Sequence, residues 1–163
     1  MKSTLRNVFV GGCLMLCPQA LAADPEGARM AAPHFGTVQL TSGFVQDPYP
    51  VGVIGGGTVP AADFVAGCPG FLGGDRPDLV LDFQAGNRPL HLYAVAASDT
   101  ALVVGFPDGS WRCADDGAAG DRNPALTIDA PASGRYAIWL AGVERRDLPV
   151  PGAVIVSEVE PYR

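Results

Sequence analysis

Asp115, Asp116 and Asp121 fall within seven consecutive residues of a glycine-rich stretch, Ala114-Asp115-Asp116-Gly117-Ala118-Ala119-Gly120-Asp121-Arg122-Asn123-Pro124. Carboxylates at that density suit a hard cation. Calcium takes roughly six to eight oxygen ligands, drawn from carboxylates, backbone carbonyls and water. Glycines let a loop curl so that carbonyls turn inward. Asp108 and Asn123 could join from the turns on either side. The spacing is not that of an EF-hand, and no Glu closes the loop. Calcium is the candidate cofactor, weighed against the commoner reading of a solvated acidic turn.

Catalytic chemistry is poorly provided for. A serine triad needs a histidine base, and the chain has only His34 and His91. His34 stands beside a stretch without periodicity, and His91 lies between Leu90 and Leu92 in a strand-like run. No Gly-x-Ser-x-Gly elbow occurs. Asp115 and Asp116 are adjacent on a glycine loop, a poor scaffold for paired acid–base work. The expectation is a non-enzymatic protein with no catalytic residues. Trp111 follows a turn, and Trp139 alternates with Ile138 on the opposite face of a strand. Both could stack on sugar rings if exposed, as in a carbohydrate-binding module, or pack into the core or a sheet edge.

The elements that position these residues read as short strands separated by Gly, Pro, Asp and Asn. Candidate strands are residues 37–40, 49–54, 79–83, 90–96, 101–106, 125–128, 135–140 and 153–159, with residues 61–66 as the one candidate helical turn. In Leu79-Val80-Leu81-Asp82-Phe83 the odd positions are apolar. In Tyr136-Ala137-Ile138-Trp139-Leu140 the even positions share one face. No segment sustains a 3.6-residue apolar period. About eight strands with turn signals between them predict an all-β domain, a two-sheet antiparallel β-sandwich of jelly-roll kind. It spans residues 35–163, after a flexible lead-in over residues 23–34.

Residues 1–22 read as a signal peptide. Lys2 and Arg6 lead an apolar stretch, and Ala20-Leu21-Ala22 offers small residues for cleavage. The apolar stretch is too short for a membrane span, which needs about 20 residues. The expected location is periplasmic or secreted. Cleavage would leave Cys68 and Cys113 as the only cysteines, 45 residues apart. Two cysteines in an exported chain pair as a disulfide, and they are too few for a structural zinc site. Losing Lys2 and Arg6 takes the formal charge from −6 to −8 and leaves no lysine. An acidic, lysine-free surface is a poor match for nucleic acid or anionic lipid.

Three short motifs follow in order: Pro107-Asp108-Gly109, Asp115-Asp116-Gly117, and Ala130-Pro131-Ala132-Ser133-Gly134-Arg135-Tyr136. In this order they resemble the bacterial pre-peptidase C-terminal domain family over residues 89–143, with a looser fit back to Gly36-Thr37-Val38. The resemblance implies a β-sandwich that accompanies secreted peptidases without catalysing anything, some relatives binding calcium or matrix polymers. Here the signal peptide leads almost directly into the sandwich, so the chain is expected to be a stand-alone copy. The function to expect is a non-catalytic exported binding or interaction domain, with calcium as a candidate stabiliser and an unidentified protein or polysaccharide partner. A carbohydrate-binding module is the alternative, and an accessory to a secreted hydrolase a minor one.

Overall fold

The computed structural model describes residues 24–117, 121–144 and 146–160. Residues 1–22, the segment read as a signal peptide, lie outside the described residues. Alternating apolar residues put one side of most strands into a core between two sheets. Eleven strands occur among the described residues: β1 (Thr37–Thr41), β2 (Tyr49–Gly55), β3 (Val59–Pro60), β4 (Phe71–Leu72), β5 (Leu79–Gln84), β6 (Leu90–Ala96), β7 (Thr100–Gly105), β8 (Trp111–Ala114), β9 (Ala125–Ile128), β10 (Gly134–Gly142) and β11 (Val150–Ser157). They form two sheets. One is built on β10, which pairs β5 along its first half and β7 along its second. β1 and β8 lie outside these two, and β4 with β3 extends from the far end of β10. The other sheet runs β2-β11-β6-β9. The fold is the expected all-β sandwich.

The main core lies between the sheets. Leu81, Phe83, Tyr136, Ile138 and Leu140 from the first meet Leu90, Leu92, Val154 and Val156 from the second. Burying a side chain of this size contributes roughly 1.5–3 kcal/mol, which makes this layer the chief source of stability.

Four features depart from the sequence reading. β1 pairs β5 in parallel, Thr37 against Val80 and Thr41 against Gln84. The chain between them passes through the other sheet and returns in the same direction, which a tight hairpin cannot do. Three strands were not expected: β3 and β4 have two residues each, and β8 is four residues directly after a turn. The lead-in expected to be flexible carries a helix, α1 (Pro25–Met30), with Pro25 in its first turn and Asp24 as its N-cap, accepting from Gly27 N at 3.1 Å. Such a cap satisfies an otherwise orphaned donor.

The fourth departure explains the third. β10 is buried on both faces, because a second core sits outside the first sheet. Ala137, Trp139 and Ala141 of β10 and Val103 of β7 are covered there by Ala28 of α1, Phe64 and Cys68. Residues 61–63 supply the expected helical turn as a 3-10 helix. The disulfide Cys68–Cys113, Cα atoms 5.8 Å apart, ties this cover to β8. Arg135 donates from Nη2 to Ala31 O at 2.6 Å and from Nε to Arg29 O at 3.3 Å, fixing the end of α1. No helix among the described residues is long and apolar enough to cross a membrane.

Candidate cation site at the acidic end of the sandwich

β7 and β8 form a hairpin closed by the Pro107-Asp108-Gly109 turn, with Leu102 opposite Ala114 and Gly105 opposite Trp111. That register brings the residue before β7 and the residues after β8 to the same end. Asp99, Asp115 and Asp116 meet there, with one carboxylate oxygen from each lying within 4.8 Å of the others. Asp99 Oδ1 is buried and has no hydrogen-bond partner among the described residues. Asp99 is half-buried while Asp115 and Asp116 are exposed; the pKa of Asp115 is raised, first by partial desolvation and then by the charges of Asp116 and Asp99. No ion pair to these three occurs among the described residues. The nearby Arg122 donates instead to Glu144 at 3.1 Å.

The donor set is all hard oxygen, which fits calcium. Three carboxylates supply half of a calcium shell, and loop carbonyls and water would complete it. Of the residues expected from the sequence, Asp115 and Asp116 come together here and the others do not. Asp121 Oδ1 accepts from Asn123 N at 3.0 Å and Nδ2 at 3.3 Å, while Asn123 Oδ1 accepts from Ala96 N at 2.8 Å. These two fasten the loop to β6. Asp108 sits at the other end of the hairpin, more than about 10 Å away at the rise of a strand. It accepts from Ser110 N at 2.9 Å and Ser110 Oγ at 2.6 Å. Asp99 was missed because it is remote in sequence. The Pro-Asp-Gly turn was the available signal, since pairing the strands around it puts residue 99 beside residue 116.

Both tryptophans belong to the second core. Trp139 is fully buried, with ring centroids 5.5 Å from Phe64 and 5.5 Å from Trp111. It has no face for a sugar, which corrects its candidacy as a stacking residue. Trp111 is half-buried, edge-on to Phe64 at 5.4 Å. The histidines hold structure. His91 is 6% exposed on β6, with Nδ1 3.0 Å from Thr127 Oγ1 on β9. His34 is exposed, its Nε2 3.7 Å from Asp75.

A second feature needed three strands in register to be seen. On the outer side of β1, β5 and β10, Gln39, Asp82 and Arg135 form one cross-strand row. With Thr41, Gln84 and Ser133, and with Leu40 and Phe83, they line an open cleft of about 640 Å³.

No protein-family model matches the chain, and no curated protein matches it. Among solved structures, the chain is similar to PliG of Aeromonas hydrophila, a periplasmic lysozyme inhibitor of g-type lysozyme, at 16% identity and a TM-score of 0.39, covering 74% of this chain and 96% of that one.

Proposed function

We propose that this chain is an exported, non-catalytic binding domain whose acidic end takes up calcium. The observation that carries this reading is the contrast in how its carboxylates are engaged. Asp47 accepts from Ser157 Oγ and Glu158 N, Asp78 from Leu140 N, Asp108 from Ser110, and Asp121 from Asn123. The carboxylates of Asp99, Asp115 and Asp116 make no hydrogen bond among the described residues and face one another. Three like charges at that distance are costly unless a cation joins them or one is protonated.

The disulfide supports an oxidising compartment. The positions of His34 and His91, and the joining of Cys68 to Cys113, support a role other than catalysis. The family resemblance belongs to the same proposal. Its motif residues have structural work in this chain: Gly109 adopts φ +84° in the hairpin turn, Tyr136 Oη donates to Ala132 O at 2.7 Å, and Ser133 Oγ accepts from Ala85 N.

The test is a thermal melt with calcium and with chelator. A ligand bound only by the native state raises stability by about 2.7 kcal/mol at a hundred times its Kd. We expect the midpoint to rise with calcium concentration and the response to vanish in the Asp115→Asn, Asp116→Asn double variant. The same variant should be the more stable protein in chelator, since it relieves the repulsion. Equal melts with and without calcium would refute the cation site.

A further inference from the structure

The bonds from Val80 N to Gly36 O and from Ser42 N to Gln84 O fix the phase of the β1–β5 ladder. In a parallel pair the N–H and C=O of one residue point to the same side, and the next residue points to the other. Residues 36, 38, 40 and 42 therefore face β5. Thr37, Gln39 and Thr41 turn their backbone groups outward, and all three are exposed. Those groups have no partner among the described residues, so β1 is an open edge.

The other edges among the described strands are blunted. β2 carries Pro50. β3 has two residues, one of them Pro60. β8 is four residues long and includes Arg112, and β9 is four residues between Pro124 and Pro131. Short length, proline and charge are the usual means of keeping an edge from pairing with another chain. β1 has none of them. It is five residues, Thr37-Val38-Gln39-Leu40-Thr41, and the whole stretch 35–46 is free of charged residues in an acidic chain.

We propose that β1 pairs with β1 of a second copy, antiparallel about a two-fold axis at Gln39. The strand reads the same by residue type in both directions, which a two-fold contact requires. Gln39 would meet its own copy, Thr37 would meet Thr41, and Val38 would meet Leu40. The outward phase makes the Gln39 and Thr37–Thr41 pairs the hydrogen-bonded ones, about six backbone bonds in all. Thr–Thr neighbours across a ladder are favourable. Charge permits this contact. The two Asp82 carboxylates would stand three strand spacings apart, about 14 Å, beyond the ~8 Å screening length of physiological salt. The clefts lined by Gln39 and Thr41 would join across the axis into one surface. A five-residue edge covers much less than the roughly 800 Å² per partner of a stable interface, so the dimer is weak and forms at high concentration.

Sedimentation velocity on the oxidised, exported protein from about 10 μM to about 1 mM spans the affinity such a contact supports. A reversible monomer–dimer equilibrium is expected. Gln39→Pro should abolish it, because the lost N–H points away from β5 and an edge tolerates proline there. Gln39→Lys, which sets two ammonium groups together, should do the same if the proline variant fails to fold. Gln39→Cys should cross-link to itself with oxidised glutathione, since a hydrogen-bonded pair puts the Cα atoms about 5.5 Å apart. Val95→Cys, exposed on the other sheet, should not. A monomer at every concentration would overturn the proposal, and so would a dimer indifferent to both Gln39 substitutions.

Discussion

Asp108 and Asp115 sit at opposite ends of one β-hairpin and have opposite surroundings. The Asp108 carboxylate is closed into its own turn by Ser110, and that hydrogen bond holds its pKa below the usual carboxylate range. Asp115 is pushed the other way, by partial desolvation and by two neighbouring carboxylates. The same residue type thus serves as a turn-former where a local donor is two residues away, and as a candidate ligand where the chain brings only more acids. A local sequence reading sees both as Asp in a glycine-containing turn. Their difference is made by strand pairing, which decides what arrives from elsewhere in the chain.

The strongest way to break this contrast is to release β8. Cys113 stands two residues before Asp115 and ties the strand to the cover over the second core. The cross-link closes a separation of 45 residues, for which chain entropy gives about 3–4 kcal/mol. The Cys68→Ser, Cys113→Ser variant should lose about that much stability in a urea melt. Any calcium response should weaken with it, because Asp115 and Asp116 then depend on a four-residue strand without its anchor. The Asp108 turn closes through its own bonds and should keep its geometry. A variant that melts with the parent would show that the aromatic packing of Phe64, Trp111 and Trp139 holds the cover by itself.

Asp78 sharpens the contrast from a third side. It is 4% exposed and fills the gap where β10 changes partner from β5 to β4, with Oδ2 accepting from Leu140 N at 2.8 Å. Burial raises its pKa to about 7, and the charge of Asp75 adds to this against the bond from Leu140. The unfolded value is near 3.8. Between those values the unfolded chain has lost the proton and the native one keeps it, so stability falls as pH rises from about 4 to about 7. The full fall is at most a few kcal/mol, at about 1.4 kcal/mol per unit. Asp78→Asn keeps an acceptor for Leu140 N and removes the charge. It should flatten the decline between pH 5 and 8 and be more stable than the parent at pH 8. An unaltered decline would show that Asp78 does not carry it.

Much of the fold was legible because strand alternation is a local signal. Tyr136, Ile138 and Leu140 face the main core as their spacing required, and the Cys68–Cys113 pairing followed from there being no other candidates. The second core was not legible. Its cover is six residues of helix and a loop built around Ala28, Phe64 and Cys68, with no periodicity to announce it. Trp139 therefore read as a core or sheet-edge residue with an exposed ring as the alternative, and its neighbour Phe64 could not be named. The acidic end was half legible for the same reason. Asp115 and Asp116 are adjacent in sequence, whereas Asp99 reaches them only through the β7–β8 register.

The smallest effect expected is at Asp108, and it is the control that gives the comparison its meaning. Its carboxylate is fully exposed, so removing it takes away a turn hydrogen bond and little else. Asp108→Ala should lower the melting midpoint less than the cysteine substitutions do, and by less than Asp78→Asn raises it at pH 8. It should leave the calcium response where it was, because the hairpin keeps this turn and the acidic end apart. Its own stability contribution should disappear as pH falls through the lowered pKa of Asp108, since a depressed carboxylate stabilises only while ionised. A calcium response lost in Asp108→Ala would mean that the two ends communicate through β7 and β8. The acidic end would then be one part of a larger site running the length of the hairpin.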